Sequence, residues 1–401
     1  MNKDRGLKYT CLFGGGAIRG LAFIGAIKAL EELNIEPVKF GGSSVGAIFA
    51  SLYAFGYTSN ELKEKFIDIN FNLFKDIQFG FGKAPALSKG NVFLDWIREL
   101  LEDKFYQSVN PKIERKPITF KDLDKDLVII TTDLKDFTSQ EFSRYTTPDY
   151  EIASAIRISC CMPGLMQPVM YQDKFLVDGD LQKSVPMWKL SDTLLNSPER
   201  ILEMRLEGSF RDVDLSNGID YANAVYSCMT AVASEQIRNE YGERDKFDYI
   251  ILDTGDVLLV NFNIPLEIRE NLISAAYNQT IDYFTKFLPV KKKKILENYN
   301  IVHGHLNRIL HNIKIKNYQK AKIDIGELFI NLSELCSNMD MADCKNIRMF
   351  KDKFFESYSK PGIFGIVHLK NNDIIKNNLQ DITDKFDMKI EELTNYLNIY
   401  K

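Results

Sequence analysis

The chain has 401 residues, of which 45% are hydrophobic, 12% aromatic and 26% charged. This composition is typical of a globular protein and excludes an intrinsically disordered chain. A net charge of −4 excludes the basic surface that nucleic-acid-binding proteins normally carry, so we expect no nucleic-acid partner. The length favours more than one compact unit.

Compartment and membrane topology are indicated by the cysteines and by the apolar stretches. The six cysteines are scattered, without the dense spacing of a disulfide scaffold or the pairs of a zinc site, which favours a reducing compartment. The charged first residues lack the apolar core of a secretory signal. The longest apolar stretch, Val45–Tyr57, is shorter than the roughly 20 residues of a membrane-spanning helix. We therefore expect a cytoplasmic protein whose membrane contact is at most peripheral.

Short apolar runs alternate with helical stretches up to about residue 289, a pattern that predicts an α/β fold. A buried helix is predicted over Gly20–Leu33, because its polar residues occupy one narrow face. The predicted strands are Tyr9–Phe13, Val38–Gly41, Leu127–Thr132, Leu202–Leu206 and Tyr249–Leu252.

The composition changes after Pro289, where the charge run Lys291–Lys294 leads into Lys-, Asn- and Ile-rich amphipathic sequence with few strand signals. We therefore predict two regions. The first is an α/β domain over residues 7–289, whose motifs lie within residues 7–190. The second is an all-helical region over residues 290–401.

The first motif is a G-x-S-x-G, Gly42-Ser43-Ser44-Val45-Gly46, between a predicted strand and the apolar helix Ala47–Phe55. In this context the serine lies on a sharp strand-to-helix turn, and Gly42 and Gly46 permit the close backbone approach that the turn requires. The helix N-terminus favours negative charge nearby. The motif could also be an ordinary glycine-rich turn, but its context favours Ser44 as a nucleophile.

A glycine loop, Gly14–Gly20, follows the first strand and opens the buried helix, so its amides can hold an anion. Both a Rossmann pyrophosphate site and an oxyanion hole use such a loop. A dinucleotide site needs a carboxylate at the end of the second strand, where this chain has Gly41 to Ser44. We therefore interpret the loop as an oxyanion hole, with a plain tight turn as the alternative.

The proton acceptor is not expected to be a histidine, because all four histidines follow residue 300: His303, His305, His311 and His368. The best-placed carboxylate is Asp178, which ends the strand-like run Phe175–Asp178 and is followed by Gly179. An aspartate with a pKa of about 3.9 must contact Ser44 directly and be partly buried to act as its base. The alternative is that Asp178-Gly179 only forms a hairpin turn.

Together these motifs resemble the signature of the patatin-like phospholipase family. That signature is a glycine-rich loop ending in Arg-Gly, a G-x-S-x-G, and a later Asp-Gly-Gly or Asp-Gly-Ala. The segments Thr132–Leu134 and Ala153–Gly164 are also similar to the family's sequence. The resemblance extends from about Leu7 to Pro186, which is under half of the chain.

The resemblance implies an αβα sandwich with a mostly parallel central sheet and a serine lipid acyl hydrolase that needs no metal or organic cofactor. The substrate would be a phospholipid or lysophospholipid at a membrane or micelle surface. Ser44 would be the nucleophile and Asp178 the base, and the oxyanion-binding amides would be those of Gly15, Gly16 and Ala17. Alternatives are a neutral-lipid lipase or acyltransferase with the same dyad, or a catalytically degenerate lipid-binding protein.

Arg19, Ala17 and Asp180 lie within or beside the motifs. By the resemblance, Arg19 would steady the glycine loop or meet a lipid phosphate. The glycine loop departs from the family pattern, because either Ala17 takes a glycine position or one residue is inserted after three glycines. Asp180 also departs from it, because it takes a small-residue position. Asp180 adds a second carboxylate beside Asp178, and like-charge repulsion is expected to raise the pKa of that base.

Two segments are candidates for membrane contact. Phe71–Phe81 is apolar and glycine-punctuated, which fits a lid or docking loop as well as a piece of core. Lys291–Lys294 could touch anionic lipid or simply form a solvated helix end.

Overall fold

The computed structural model describes residues 7–70, 74, 88–109, 115–181, 199–208, 218–259, 261–358 and 369–399. The predicted docking segment Phe71–Phe81 lies outside these residues except for Phe74. The described residues form two compact units. The first consists of the described residues within Met1–Ser191, Pro198–Gly242 and Phe247–Tyr283, and the second of those within Glu243–Lys246 and Phe284–Lys401.

A mixed sheet forms the centre of the first unit. Its strands among the described residues are β1 Lys8–Phe13, β2 Glu36–Ser43, β3 Asp126–Asp133, β4 Thr138–Ser143, β5 Val169–Tyr171, β6 Lys174–Asp178, β7 Arg200–Glu207 and β8 Phe247–Asp253. The parallel pairs follow the order β3-β2-β1-β7-β8, while β4, β5 and β6 pair antiparallel. The predicted α/β class and mostly parallel sheet are confirmed.

The five predicted strands are all present, and their burial explains why the sequence predicted them. Along β1 every residue after Lys8 is buried, and β7 is buried through Leu206. Parallel strands covered on both faces read as continuous apolar runs, which the sequence displays. The strands β4 and β5 were not predicted, because β4 is largely polar and β5 has only three residues.

Helices cover the sheet. In the first unit the described helices are α1 Ala22–Glu32, α2 Val45–Ala54, α3 Ser59–Phe66, α4 Asn91–Val109, α5 Ile152–Ser159, α6 Gly218–Tyr241 and α7 Leu266–Asp282. The predicted helix over Gly20–Leu33 begins as a 3₁₀ turn, Ala17–Leu21, and continues as α1. All residues of α2 except Tyr53 are buried, as expected for a helix that is apolar on every face.

The most consequential feature of the sheet is that β2 and β6 share one edge of β3. At the end of β2, Ser43 pairs with Ile130, and at the end of β6, Asp178 pairs with Thr131. The strand β4 pairs with the same two residues of β3 and so occupies its other edge. Because β2 runs parallel to β3 and β6 antiparallel, the two strands approach head to head. Their carboxyl ends therefore meet at adjacent positions.

The second unit is helical in its described residues. Its helices are α8 Leu288–Lys314, α9 Tyr318–Leu335, α10 Met341–Ser357 and α11 Asn372–Ile399. Asn317 caps α9 by accepting from the Lys320 amide, and Asp340 caps α10 by accepting from the Ala342 amide. The core includes the fully buried rings of Tyr299 and Phe354. Across the described residues, no helix is both long and apolar enough to cross a bilayer.

One lysine of the run at the start of α8, Lys292, is buried in an ion pair. Lys292 is 4% exposed, and its ammonium contacts the buried Asp245 carboxylate at 2.7 Å. Lys389 contacts the other oxygen of Asp245 at 2.8 Å. Lys294 lies 3.6 Å from Glu243. Because burial and an ion pair hold Lys292 within its unit, this residue is not available for the expected contact with anionic lipid.

Cys336, which caps the end of α9, and Cys344 of α10 form a disulfide with their Cα atoms 5.9 Å apart. The sequence analysis expected no such pairing and favoured a reducing compartment. Spacing alone could not reveal the bridge, because the helical turn between α9 and α10 brings the two side chains together.

Close packing of α1 on α7 generates a stability prediction. A Cβ added at Gly25 would lie 1.9 Å from the Ile273 carbonyl oxygen. Gly25→Ala must therefore move a helix backbone, and we expect it to lower the free energy of unfolding by about 1–3 kcal/mol, measured by chemical denaturation. Gly304→Ala in α8 is the control, because nothing lies within 4 Å of its added Cβ. The control should be neutral or stabilising by about 1 kcal/mol. Equal stability of the Gly25 variant and the wild type would contradict the close approach.

Candidate active site

Ser44 lies on a sharp turn between β2 and α2. Its backbone dihedrals are φ 52° and ψ −131°, in a region that side-chain-bearing residues rarely adopt. A Cβ at Gly42 would lie 2.4 Å from the Gly46 carbonyl carbon and oxygen, and a Cβ at Gly46 would lie 2.0 Å from the Phe13 carbonyl oxygen. Both glycines of the motif are therefore required sterically, and the backbone geometry matches the predicted turn.

Ser44 and Asp178 are in direct contact, as the sequence predicted. The Ser44 hydroxyl donates to Asp178 Oδ2 at 2.7 Å, and Asp178 has no exposed surface. The other carboxylate oxygen, Oδ1, accepts from the Asp180 backbone N–H at 2.9 Å. The Asp178 amide itself donates to the Cys161 carbonyl. The carboxylate is therefore fixed on both sides, with one oxygen aimed at the serine.

The end of α5 fastens the serine turn from a second direction. The Ser44 amide donates to Ser159 Oγ at 2.9 Å, and this hydroxyl donates to the Ile130 carbonyl at 2.6 Å. Cys160 Sγ donates to the Ser44 carbonyl at 3.1 Å. The sequence analysis did not single out Ser159 or Cys160, although both belong to the segment Ala153–Gly164 that carries the family resemblance. The family resemblance of this segment was the sequence signal that could have identified the two residues.

Of the three glycine-loop amides predicted to bind the oxyanion, one is already hydrogen-bonded within the protein. The Gly15 amide donates to Asp180 Oδ1 at 3.3 Å, so it is already engaged, contrary to the expectation for the oxyanion hole. Within the described ranges, no acceptor pairs with the amides of Gly16 and Ala17. Both residues have positive φ, +154° and +47°. The candidate oxyanion donors are therefore the amides of Gly16 and Ala17.

Arg19 is buried at 3% exposure, and its Nε donates to the Val257 carbonyl at 2.6 Å. Burial lowers the pKa of Arg19 to about 10, although the Asp253 carboxylate opposes that shift. Of the two expected roles, the geometry fits steadying of the glycine loop, because a buried guanidinium tied to the backbone does not face a lipid phosphate.

Asp180 does not carry the unbalanced charge that the sequence analysis assumed. Arg205 Nη1 lies 3.1 Å from Asp180 Oδ1, and both side chains are buried. The guanidinium offsets the expected repulsion between Asp180 and Asp178. Sequence reasoning missed Arg205, because an arginine inside an otherwise apolar strand gives no indication of its partner.

An apolar cavity of about 360 Å³ opens beside the serine. Ser44 and Ala17 line it together with Val45, Ile48 and Phe49 of α2. Further aromatic side chains form what we call the aromatic wall: Phe49, Phe66, Phe74, Phe93 and Trp96. Their rings are in contact, with centroids 5.1 Å apart for Phe49 and Phe66 and 5.4 Å apart for Phe66 and Trp96. The size and lining suit an elongated apolar group.

The described histidines, His303, His305 and His311, all lie on α8 in the second unit. Within the described ranges, no group of three or more His, Cys, Asp or Glu side chains is arranged to hold a metal ion. The described part of the first unit therefore offers Asp178, and no imidazole, as a proton acceptor for Ser44.

Cys160 also lines the cavity, and its ionisation state is testable. Burial, together with the nearby Asp178 carboxylate, raises the pKa of the Cys160 thiol well above its usual range. Since the thiolate is the reactive form, we expect iodoacetamide at pH 8 to modify the exposed Cys228 and to leave Cys160 unmodified, as read by mass spectrometry. Modification of Cys160 as fast as Cys228 would make the thiol a rival nucleophile.

Comparison with known proteins agrees with this geometry. A family model described as patatin-like phospholipase matches residues 12–190. An uncharacterised protein of Acanthamoeba polyphaga mimivirus is 26% identical over 298 residues, 70% of this chain and 95% of that protein. A probable lipid hydrolase of Invertebrate iridescent virus 6 is 26% identical over 182 residues, 44% of this chain and 61% of that protein.

One solved structure shares the fold over most of the chain. VipD from Legionella pneumophila superposes with a TM-score of 0.51 at 14% sequence identity, covering 97% of this chain and 88% of VipD. This likeness concerns the fold alone. Residues 12–190, which carry the serine turn, the glycine loop and the aspartate, are thus similar to the patatin-like phospholipase family.

Proposed function

We propose that this protein is a serine lipid acyl hydrolase that releases fatty acids from phospholipids or lysophospholipids. The observation that carries the proposal is the 2.7 Å hydrogen bond from Ser44 Oγ to Asp178 Oδ2 at the edge of an apolar cavity. The family match, and the relative described as a probable lipid hydrolase, support the same class of reaction.

In the first step the Ser44 oxygen attacks the carbonyl carbon of the acyl ester, and its proton passes to Asp178 Oδ2. The carbonyl oxygen becomes an oxyanion, which the amides of Gly16 and Ala17 stabilise from the start of the first helical segment. Collapse of the tetrahedral intermediate breaks the ester bond. The leaving alcohol takes the proton back from Asp178, and the acyl group stays on Ser44.

In the second step water attacks the acyl carbon, and Asp178 accepts the proton of that water. The same two amides hold the second oxyanion. When the intermediate collapses, Ser44 regains its proton from Asp178 and the fatty acid is released. Asp178 is suited to both steps because its Oδ1 is held by the Asp180 amide while Oδ2 remains directed at the serine.

The cavity favours an acyl chain as the bound group. Its described lining is apolar or aromatic except for Ser44, Ser88 and the thiol of Cys160, and it contains no charged side chain. A charged headgroup would lose its hydration there without gaining a partner, whereas each buried methylene contributes about 0.8 kcal/mol. We infer that the acyl chain enters the cavity while the headgroup remains outside.

The two proposed catalytic residues are tested with purified wild-type protein, Ser44→Ala and Asp178→Asn. Ser44→Ala should abolish labelling by a fluorophosphonate lipid probe and the release of fatty acid. Asp178→Asn should reduce fatty-acid release by about 10²- to 10⁴-fold, because it removes the proton acceptor and retains the shape of the side chain. Circular dichroism establishes that both variants are folded.

Ser51→Ala is the matched control for the proposed nucleophile, because Ser51 is a buried serine of α2, the helix that follows Ser44, and its hydroxyl donates to the Ala47 carbonyl. It should retain labelling and turnover. Labelling of a residue other than Ser44, or full activity of Asp178→Asn, would refute the proposed dyad. Wild-type protein that, in the absence of the probe, transfers the acyl group to an added alcohol in preference to water would point instead to an acyltransferase.

The aromatic wall predicts selectivity for acyl-chain length. Trp96→Ala enlarges the cavity at the part of its lining where the Trp96 ring contacts Phe66 and Phe74. We expect kcat/KM to shift toward longer chains in a series of p-nitrophenyl esters, by up to about 4-fold for each methylene newly accommodated. Phe105→Ala is the control, since Phe105 is on the same helix and contacts Phe55 and Tyr106. If Trp96→Ala leaves the dependence of kcat/KM on acyl-chain length unchanged, the acyl chain does not bind against the aromatic wall.

A further inference from the structure

We propose that Asp180, held by Arg205, is a positioning residue that fastens the glycine loop, the serine turn and the base in one arrangement. This inference rests on the proposed function, because it assigns Asp180 a role in the same site. Asp180 stands where the signature of the patatin-like family has a small residue.

The contacts of Asp180 reach all three parts of the site. Its Oδ1 accepts from the Gly15 amide at 3.3 Å and from the Ser43 hydroxyl at 3.1 Å. Its backbone N–H donates to Asp178 Oδ1 at 2.9 Å. A single residue therefore joins the loop that would bind the oxyanion, the residue directly before the nucleophile, and the carboxylate that would take the proton.

Arg205 compensates the charge of the buried Asp180 carboxylate. Asp180 is 2% exposed, and a buried carboxylate without a counter-charge is costly. Arg205 Nη1 supplies that charge at 3.1 Å from the same Oδ1. Burial lowers the pKa of Arg205, but the carboxylates of Asp180 and Glu203 outweigh burial and raise it. Three donors thus converge on one oxygen of the Asp180 carboxylate.

Gly14 and Gly15 lie so close to the side chains of Asp180 and Arg205 that neither position has room for a Cβ atom. A Cβ at Gly14 would lie 2.8 Å from Arg205 Cδ and Nη1, and a Cβ at Gly15 would lie 2.7 Å from Asp180 Cγ. Side chains at either position would push the loop off the Asp180 and Arg205 pair. Two of the three glycines are therefore explained by contact with this pair. The third, Gly16, has φ +154° and allows the turn.

The buried Glu203 helps to identify the partner of Arg205. It follows Leu202 in β7, has no exposed surface, and neither of its oxygens has a hydrogen-bond partner among the described residues. Burial raises the pKa of Glu203 to about 7; Arg205 opposes that rise and Asp180 adds to it. The hydrogen bond of Arg205 goes to Asp180 and not to Glu203. Asp180 is therefore the carboxylate that Arg205 holds in place.

The test compares Asp180→Asn, Arg205→Lys and Arg205→Met in fatty-acid release and in the rate of fluorophosphonate labelling of Ser44. Asp180→Asn should lower kcat by about 10- to 100-fold, as expected for loss of charge-assisted hydrogen bonds, with little change in KM because Asp180 does not line the cavity. Arg205→Lys keeps the charge and should retain more kcat than Arg205→Met. A merely structural role would not produce this separation of kcat from KM or the rescue by lysine.

Asp248→Asn is the matched control, because Asp248 forms a buried pair with Arg200, 2.8 Å apart, at the opposite end of β7. It should lower stability and leave the kcat of the folded protein unchanged. If Asp180→Asn fails to fold, Ser43→Ala removes one donor to Asp180 with a minimal change in shape. That variant should lower kcat by about 2- to 10-fold.

The outcomes separate the two proposals. Wild-type protein that is not labelled at Ser44 overturns the proposed function and this inference with it. Labelled wild type with an Asp180→Asn kcat equal to that of the wild type, or with the same loss of kcat in Asp248→Asn, overturns the positioning role alone. If Asp180→Asn cannot fold, a Ser43→Ala kcat equal to the wild-type value also overturns the positioning role alone.

Discussion

The head-to-head approach of β2 and β6 along one edge of β3 sets the distance on which the site depends. Because Ser43 and Asp178 pair with consecutive residues of β3, Ser44, the proposed nucleophile that follows β2, lies beside the carboxylate that ends β6. The contact is made by strand register, which a packed sheet holds rigidly, and not by a mobile loop. A purely parallel sheet would place the two strand ends side by side with a full strand spacing between them, about 4.8 Å.

This register also makes an aspartate base workable without an imidazole. A direct hydrogen bond removes the need for a longer relay, and burial withdraws the pair from competing water, which strengthens the hydrogen bond. Such a pair needs its carboxylate held in one orientation. The Asp180 amide provides that hold, and the ion pair of Asp180 with Arg205 fixes Asp180 in turn. The electrostatic frame of the site thus extends from β6 into β7.

The sequence predicted the parts of the structure that local patterns encode. The five apolar strands and the serine turn were readable because continuous apolar runs and paired glycines reflect local burial and sterics. The contacts of Asp180 with Gly15 and of Ser159 with Ser44 were not, since each joins residues more than one hundred positions apart by geometry that only the folded sheet creates. For the same reason the Gly15 amide was assigned to the oxyanion hole. The Cys336–Cys344 bridge was not expected, because the spacing of the two cysteines does not show that their side chains meet.

The central claim is that Ser44 and Asp178 act without a histidine. The most direct measurement is fatty-acid release by a folded variant in which His303, His305, His311 and His368 are all replaced by asparagine or glutamine. The account predicts turnover within about 3-fold of the wild type, because the proton passes directly between the paired side chains. A loss of about 10²-fold or more in a variant with native circular dichroism and an unchanged melting temperature would contradict it, since a histidine would then be accepting the proton.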